Sequence, residues 1–299
     1  MKYSIVVLSF LLVFGCQRAP EPAAEAAPEV QPAAEAAAEQ MTLEALLAAQ
    51  PEEVRARYAF RNPGETLEFF GIEPGMTVVE GLPGGGWYTK LLLPWLGAEG
   101  RLIGADYPMA IWPNFNFGTE EFIAKRSTWL TDWPAGAEEW RGESGASIEA
   151  VVMGSLPEKF HGTADVVFFP RVLHNLANYE SQGGFLTMAL ADAFAVLKPG
   201  GTFGVVQHHA RDDMSDEFAD GSHGYLKKSF VIAVAEAAGF EFVAESDINA
   251  NPKDQPTEED IVWRLPPSFA TSGDDEELRA KYAAVGESNR MTLKFRKPE

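Results

Sequence analysis

The feature that most constrains this chain is a short apolar strand, Thr77-Val78-Val79-Glu80, that ends on an acid and runs through Gly84-Gly85-Gly86 into a leucine-rich segment containing Leu91, Leu92, Leu93 and Leu96. A buried strand, a glycine turn and a helix form the opening unit of a parallel α/β sheet. The same alternation recurs downstream. Further strands are predicted over Leu102–Asp106, Ala150–Met153, Asp165–Phe169, Thr202–Gln207 and Phe240–Ala244, with Met291–Phe295 alternating into a last one. Between them the pattern predicts a helix over Phe185–Leu197, stopped by Lys198-Pro199-Gly200-Gly201, and another over Phe230–Ala238, capped by Ser229 and ended by Gly239.

The expected fold is therefore α/β: a doubly wound, mainly parallel, Rossmann-like sheet of seven strands. An N-terminal helical extension precedes it. Leu43, Leu46 and Leu47 sit at helical spacing, and Pro51 can open a second helix. In Asn62-Pro63-Gly64-Glu65, Asn62 reads as an N-cap, Pro63 as the first helical residue and Glu65 as the reciprocal capping partner, with Gly71 ending the helix. A composition of 46% hydrophobic and 23% charged residues supports a sizeable core. The formal charge of −20 excludes a broad nucleic-acid surface, because phosphates would be repelled. A single cysteine, Cys16, excludes an intrachain disulfide and a cysteine-based zinc site.

Before the folded part, Met1 and Lys2 give a short positive start, and Ile5 to Phe14 form an apolar run that fits the h-region of a signal peptide. Val13 and Gly15 before Cys16 resemble the lipobox of bacterial lipoproteins, in which the cysteine is acylated and becomes the first mature residue. Residues 17–40 are almost entirely Ala, Pro and Glu, a solvated tether. The expected organisation is a leader over 1–15, a lipidated cysteine and tether over 16–40, and one folded domain over 41–299.

In open parallel sheets ligands bind beyond the carboxyl ends of the strands, where the strand order reverses. The first strand ends there in Glu80-Gly81-Leu82-Pro83-Gly84-Gly85-Gly86. Leu82 and Trp87 stand where a dinucleotide-binding G-x-G-x-x-G would need glycines, which favours a ligand without a pyrophosphate. His174 follows the fourth strand, His208 and His209 follow the fifth, and His223 lies in the next loop, so four histidines face the same rim. One of them can act as a general base; a metal site would add Asp212 or Asp213; otherwise each hydrogen-bonds loop backbone. Tyr107, Trp112, Phe115, Phe117, Trp129, Trp133 and Trp140 read chiefly as an aromatic helix face packed on the sheet, or else as an acceptor pocket. Asn251 to Ser288, with Trp263, Pro266, Pro267 and Phe269, is expected to pass over the rim.

At these residues the chain resembles the class I S-adenosylmethionine-dependent methyltransferases. Glu80, Gly84 and Gly86 match the family's first motif, with Leu82 in place of its first glycine; Asp106 stands where the family's second-strand acid binds the ribose hydroxyls. Asp165–Phe169 running into Arg171-Val172-Leu173-His174-Asn175, and the Leu197–Gly201 turn, complete the resemblance. More narrowly it is similar to a group of exported methyltransferase-like proteins that share Pro83–Thr89, Glu236–Phe240 and Leu293–Pro298. The resemblance implies S-adenosylmethionine as cofactor, held by Glu80, Gly81, Gly84, Gly86, Asp106 and Arg171, with no metal. It also implies a small-molecule or envelope methyl acceptor. His208 and His209, then His174, are the candidate bases, and strand alternation directs only one of the first two inward. The alternatives are a non-enzymatic small-ligand-binding protein of the same fold and a metal-dependent hydrolase built on the histidines.

Overall fold

Seven strands pair in the order β3-β2-β1-β4-β5-β7-β6, and the chain alternates between strands and helices to build them. The computed structural model describes residues 41–299 and otherwise only isolated positions among the first fifteen, so the leader, Cys16 and the tether lie outside the described residues. Short helices α1 (Leu43–Ala48), α2 (Glu52–Arg55), α3 (Tyr58–Arg61) and α4 (Pro63–Phe70) precede the sheet. Then follow β1 (Thr77–Gly81), α5 (Thr89–Leu96), β2 (Arg101–Asp106), α6 (Glu120–Arg126), α7 (Trp129–Arg141), β3 (Ser147–Val152) and β4 (Ala164–Pro170). The second half runs through α8 (Leu173–Asn178), α9 (Glu180–Gly183), α10 (Phe185–Val196), β5 (Leu197–His208), α11 (Lys228–Ala237), β6 (Glu241–Ser246), α12 (Glu276–Val285) and β7 (Arg290–Arg296). Among the described residues no helix is long and apolar enough to cross a membrane.

β1 to β5 are parallel, and β7 inserts antiparallel between β5 and β6. The central strands are buried on both faces, which is why they read as continuous apolar runs rather than as alternation. Val79, Ile103, Val167, Phe169, Phe203 and Leu293 face a core covered by α8, α10 and α11. Their neighbours Val78, Leu102, Val166, Phe168 and Val206 face a second core under α4, α5 and α7. The order reverses between β1 and β4, so the switch point lies beyond the carboxyl ends of those two strands.

Several local expectations are corrected. Asn62 is left-handed (φ 37°) and makes no cap bond; its side-chain amide donates to the Ile248 carbonyl at 2.6 Å, a distant partner that outcompetes the local box. Ser229 lies inside α11, whose preceding residue Lys227 offers no capping side chain. β5 starts at Leu197 and extends through His208, so His208 is a strand residue rather than a loop residue. Most of the aromatic segment is core: Tyr107 and Trp112 join one apolar cluster, Trp129 and Trp133 stack at 5.2 Å within the other, and Phe117 stays exposed.

Candidate functional site

The carboxyl rim divides into two regions. The first is the crevice between the ends of β1 and β2. Glu80 is buried at the end of β1, where it accepts a hydrogen bond from the Thr89 hydroxyl at 2.7 Å. Burial pushes its pKa up to about 7, against the Thr89 hydrogen bond and the charge of Arg171. The loop that follows carries Leu82 in the left-handed region (φ 48°), a conformation costing a non-glycine residue roughly 1–2 kcal/mol. Gly84 and Gly85 are exposed, and a Cβ at Gly85 would touch nothing. Gly86 needs its glycine for a different reason: its φ is 74°, and a Cβ would collide with the Trp140 ring. The constraint there is helix packing.

Asp106, at the end of β2, is 1% exposed and ion-paired with Arg126 from α6. Burial raises its pKa to about 6, with Arg126 and the Tyr107 amide opposing. The Arg126 guanidinium lies 4.5 Å over the Trp112 ring and 5.6 Å from Trp129. The acid that ends β2 is thus already covered by a cation. The helix supplying that cation buries none of its own residues.

The second region is a cavity of about 250 Å³ beyond β4 and β5, lined by Arg57, Arg61, Arg171, His208, Glu287 and the Val262–Ser268 segment with Trp263. Glu287 accepts from three guanidiniums: Arg57 at 2.6 Å, Arg61 at 3.2 Å and Arg290 at 2.9 Å. Burial alone would raise the Glu287 pKa, but Arg290, Arg61 and Arg57 hold it down to about 2. Arg171 follows β4 in the left-handed region (φ 62°), with its amide on the Val206 carbonyl at 2.6 Å. Its side chain makes no ion pair among the described residues. The Nη1 atoms of Arg61, Arg171 and Arg290 and the Tyr88 hydroxyl are buried without a hydrogen-bond partner. Arg61 also stacks on Trp87, immediately after the glycine loop, at 4.4 Å.

Two of the candidate histidines meet here. His174 and His208 have ring centroids 5.3 Å apart, and His174 lies 5.8 Å from the Trp263 ring. His208 shares a 2.6 Å hydrogen bond between Nδ1 and the Ser288 hydroxyl, and His174 Nδ1 lies 3.3 Å from the Gln207 amide. Burial lowers the His174 pKa to about 4 and that of His208 well below its usual value, with neighbouring charges adding to both, so each ring is neutral near pH 7. His209 points elsewhere, into a groove with Lys228, Glu245 and Asp247. His223 is tied through Nδ1 to the Asp260 carbonyl at 2.8 Å. Among the described residues no three His, Cys, Asp or Glu side chains converge as metal ligands, and Asp213 instead pairs with Arg211.

Of the residues read as cofactor ligands, Glu80, Gly81 and Asp106 lie at the ends of β1 and β2, Gly84 in the exposed turn after β1, Gly86 packs under Trp140, and Arg171 belongs to the cavity. A Cβ at Gly81 would strike Phe169, so this glycine serves strand packing. Sequence reasoning missed Arg57, Arg61, Tyr88, Glu287 and Arg290. Arg61 and Glu287 are 226 residues apart, and no local pattern joins them.

No protein-family model matches the chain, and no curated protein matches it. Among solved structures it is similar to a SAM-dependent methyltransferase from Aquifex aeolicus, with TM-score 0.46 and 14% identity over 86% of this chain and 99% of that one. It is similar also to an arsenic(III) S-adenosylmethionine methyltransferase from Chlamydomonas reinhardtii, with TM-score 0.42 and 18% identity over 86% and 73%. A third is a Burkholderia thailandensis 1,6-didemethyltoxoflavin-N1-methyltransferase solved with its substrate and S-adenosylhomocysteine, with TM-score 0.44 and 13% identity over 83% and 82%.

Proposed function

We propose that this chain is an S-adenosylmethionine-dependent methyltransferase, exported and tethered through acylated Cys16, that acts on a small-molecule or envelope acceptor. The observation that carries the reading is the pair of buried acids, Glu80 and Asp106, at the carboxyl ends of the adjacent parallel strands β1 and β2, with the exposed Gly84-Gly85 turn following β1. Open space over that turn lets backbone approach a ligand closely, as a Cβ would not. Asp106 would accept the ribose hydroxyls once Arg126 leaves it, and the loop would support the amino-acid end. When bound, the cofactor supplies an electrophilic methyl group on a sulfonium. This chain's part is to orient an acceptor and to remove its proton; cavity-lining His208 is neutral near pH 7, and because burial and nearby cations also lower its basicity, it would serve an acceptor whose proton is already acidic.

The test is a calorimetric titration of the full chain with S-adenosylmethionine and S-adenosylhomocysteine. Asp106→Ala should weaken binding about tenfold or more, since charge-assisted hydrogen bonds contribute roughly 1.5–3 kcal/mol. Wild-type-like affinity in that variant would take the cofactor out of this crevice. A second reading, a non-catalytic ligand-binding protein, is favoured by the Asp106–Arg126 ion pair and by Leu82 in the glycine loop. Cofactor binding without turnover on any acceptor would support it. Export is tested separately: Cys16→Ser should release the protein from the membrane fraction, and retention at an unprocessed mass would refute acylation.

A further inference from the structure

The cavity beyond β4 and β5 holds more positive charge than the protein itself balances. Four guanidiniums, from Arg57, Arg61, Arg171 and Arg290, gather around one carboxylate, Glu287. Glu80, whose carboxyl feels the charge of Arg171, is engaged by Thr89. Arg61 and Arg171 both line the cavity, and each also keeps a buried Nη1 without a hydrogen-bond partner. Burying charged donors without acceptors is unfavourable, and the crowding is felt: burial and the neighbouring guanidiniums lower the pKa values of both Arg61 and Arg171. A whole-chain charge of −20 makes a local cationic excess harder to ascribe to general surface composition.

We propose that this cavity is a binding site for a small organic oxyanion, a phosphate monoester or a compact dicarboxylate, held by the guanidiniums of Arg57, Arg61 and Arg171 that line it. Guanidinium forks match planar and tetrahedral oxyanions bidentately, and an anion among these side chains offsets their excess of charge over Glu287. A cavity of about 250 Å³ has room for a metabolite-sized anion. Trp263 and Leu265 line the same cavity and give it an apolar surface for the carbon skeleton. The methionine end of S-adenosylmethionine is a poor fit, because it carries an ammonium beside its carboxylate and a sulfonium beyond. A cation-rich cavity repels both. With His208 in the same wall, the oxyanion is also the natural methyl acceptor in the reading above, but its binding does not depend on that reading.

The experiment is titration of the full chain with inorganic phosphate and with malonate at low ionic strength, followed by calorimetry and thermal melting. One saturable site is expected, and each anion should raise the melting temperature. Arg61→Gln and Arg171→Gln should each weaken binding at least tenfold and Arg57→Gln severalfold, while Asp213→Asn, at the exposed pair with Arg211, leaves anion affinity unchanged. Without anion, Arg171→Gln should melt no lower than wild type, because it removes one of four crowded cations; Arg57→Gln, at a 25%-exposed side chain, serves if a buried variant unfolds. Absence of saturable binding, or unchanged affinity in Arg171→Gln and Arg57→Gln, overturns the proposal and leaves the cluster structural. Displacement of phosphate by free methionine and by S-adenosylhomocysteine also overturns it, by making the cavity the cofactor's carboxylate seat. Phosphate binding as expected in a protein that binds no cofactor upholds the site while removing the methyltransferase reading.

Discussion

The two halves of the rim treat charge in opposite ways. In the crevice, a buried acid, Asp106, is covered by one arginine from a short helix close in sequence, 20 residues away, that buries nothing of its own. In the cavity, arginines from α3, the end of β4 and the start of β7 converge on Glu287, and the side chains that meet there are as much as 230 residues apart. The first arrangement is a local ion pair that a ligand can replace at small cost. The second is a buried network, where removing one member leaves others uncompensated. The difference teaches which half can move and which half must already be in place.

Glu287→Ala is the severest way to break the comparison. It strips three guanidiniums of their shared carboxylate and should cost about 3–5 kcal/mol in urea denaturation. A loss below about 1 kcal/mol would mean that the network is no more than a surface-like pair.

Glu80 tests burial in the crevice through pH. Its folded pKa is raised from 4.5 to about 7, so the folded state holds the proton more tightly than the unfolded chain. The associated stability is present below about pH 4.5 and lost as pH rises through about 7. Glu80→Gln should therefore flatten the stability–pH profile across that window by roughly 3 kcal/mol. An unchanged profile would place the titrating group elsewhere.

The histidines separate the cavity from the neighbouring groove. His208→Ala should lower turnover about a hundredfold, about 2.7 kcal/mol, with cofactor binding retained, while His209→Ala has little effect. Because the His208 pKa is depressed by burial and by the cations around it, wild-type kcat/KM should stay level as pH falls from 8 past 6.5. Equal losses in both variants would deny the cavity its special role.

The smallest effect expected is at the local pair. Arg126→Ala frees the Asp106 carboxylate and should tighten S-adenosylmethionine binding about tenfold, read by calorimetry. Weaker binding would make Arg126 a cofactor ligand instead of a cover.

How far the sequence carried the reading depends on the range of the interaction. The strands, their order of appearance and the helices α5, α10 and α11 follow from apolar runs and turn residues, because burial of a strand on both faces leaves a mark a few residues long; α8, α9 and α12 left no such mark. The acids ending β1 and β2 and the glycine turn were legible for the same reason. Local signals failed where a distant partner won, as at Asn62, whose amide is taken by the Ile248 carbonyl. What each glycine does was also hidden: Gly81 and Gly86 make room for Phe169 and Trp140, side chains remote in sequence, whereas Gly84 and Gly85 face open space.

By itself, then, the sequence determined the α/β class, the seven strands and the residues at the strands' carboxyl rim, since each of these rests on periodicity and turns within a short window. Only the tertiary structure decided the charge of the two halves of that rim: it set Arg126 on Asp106, gave the cavity His208 rather than His209, and drew Arg57, Arg61, Arg171 and Arg290 around Glu287. The physical reason is that electrostatics acts through space and not along the chain. Whether an arginine is paired or left wanting depends on which strand ends the sheet brings side by side.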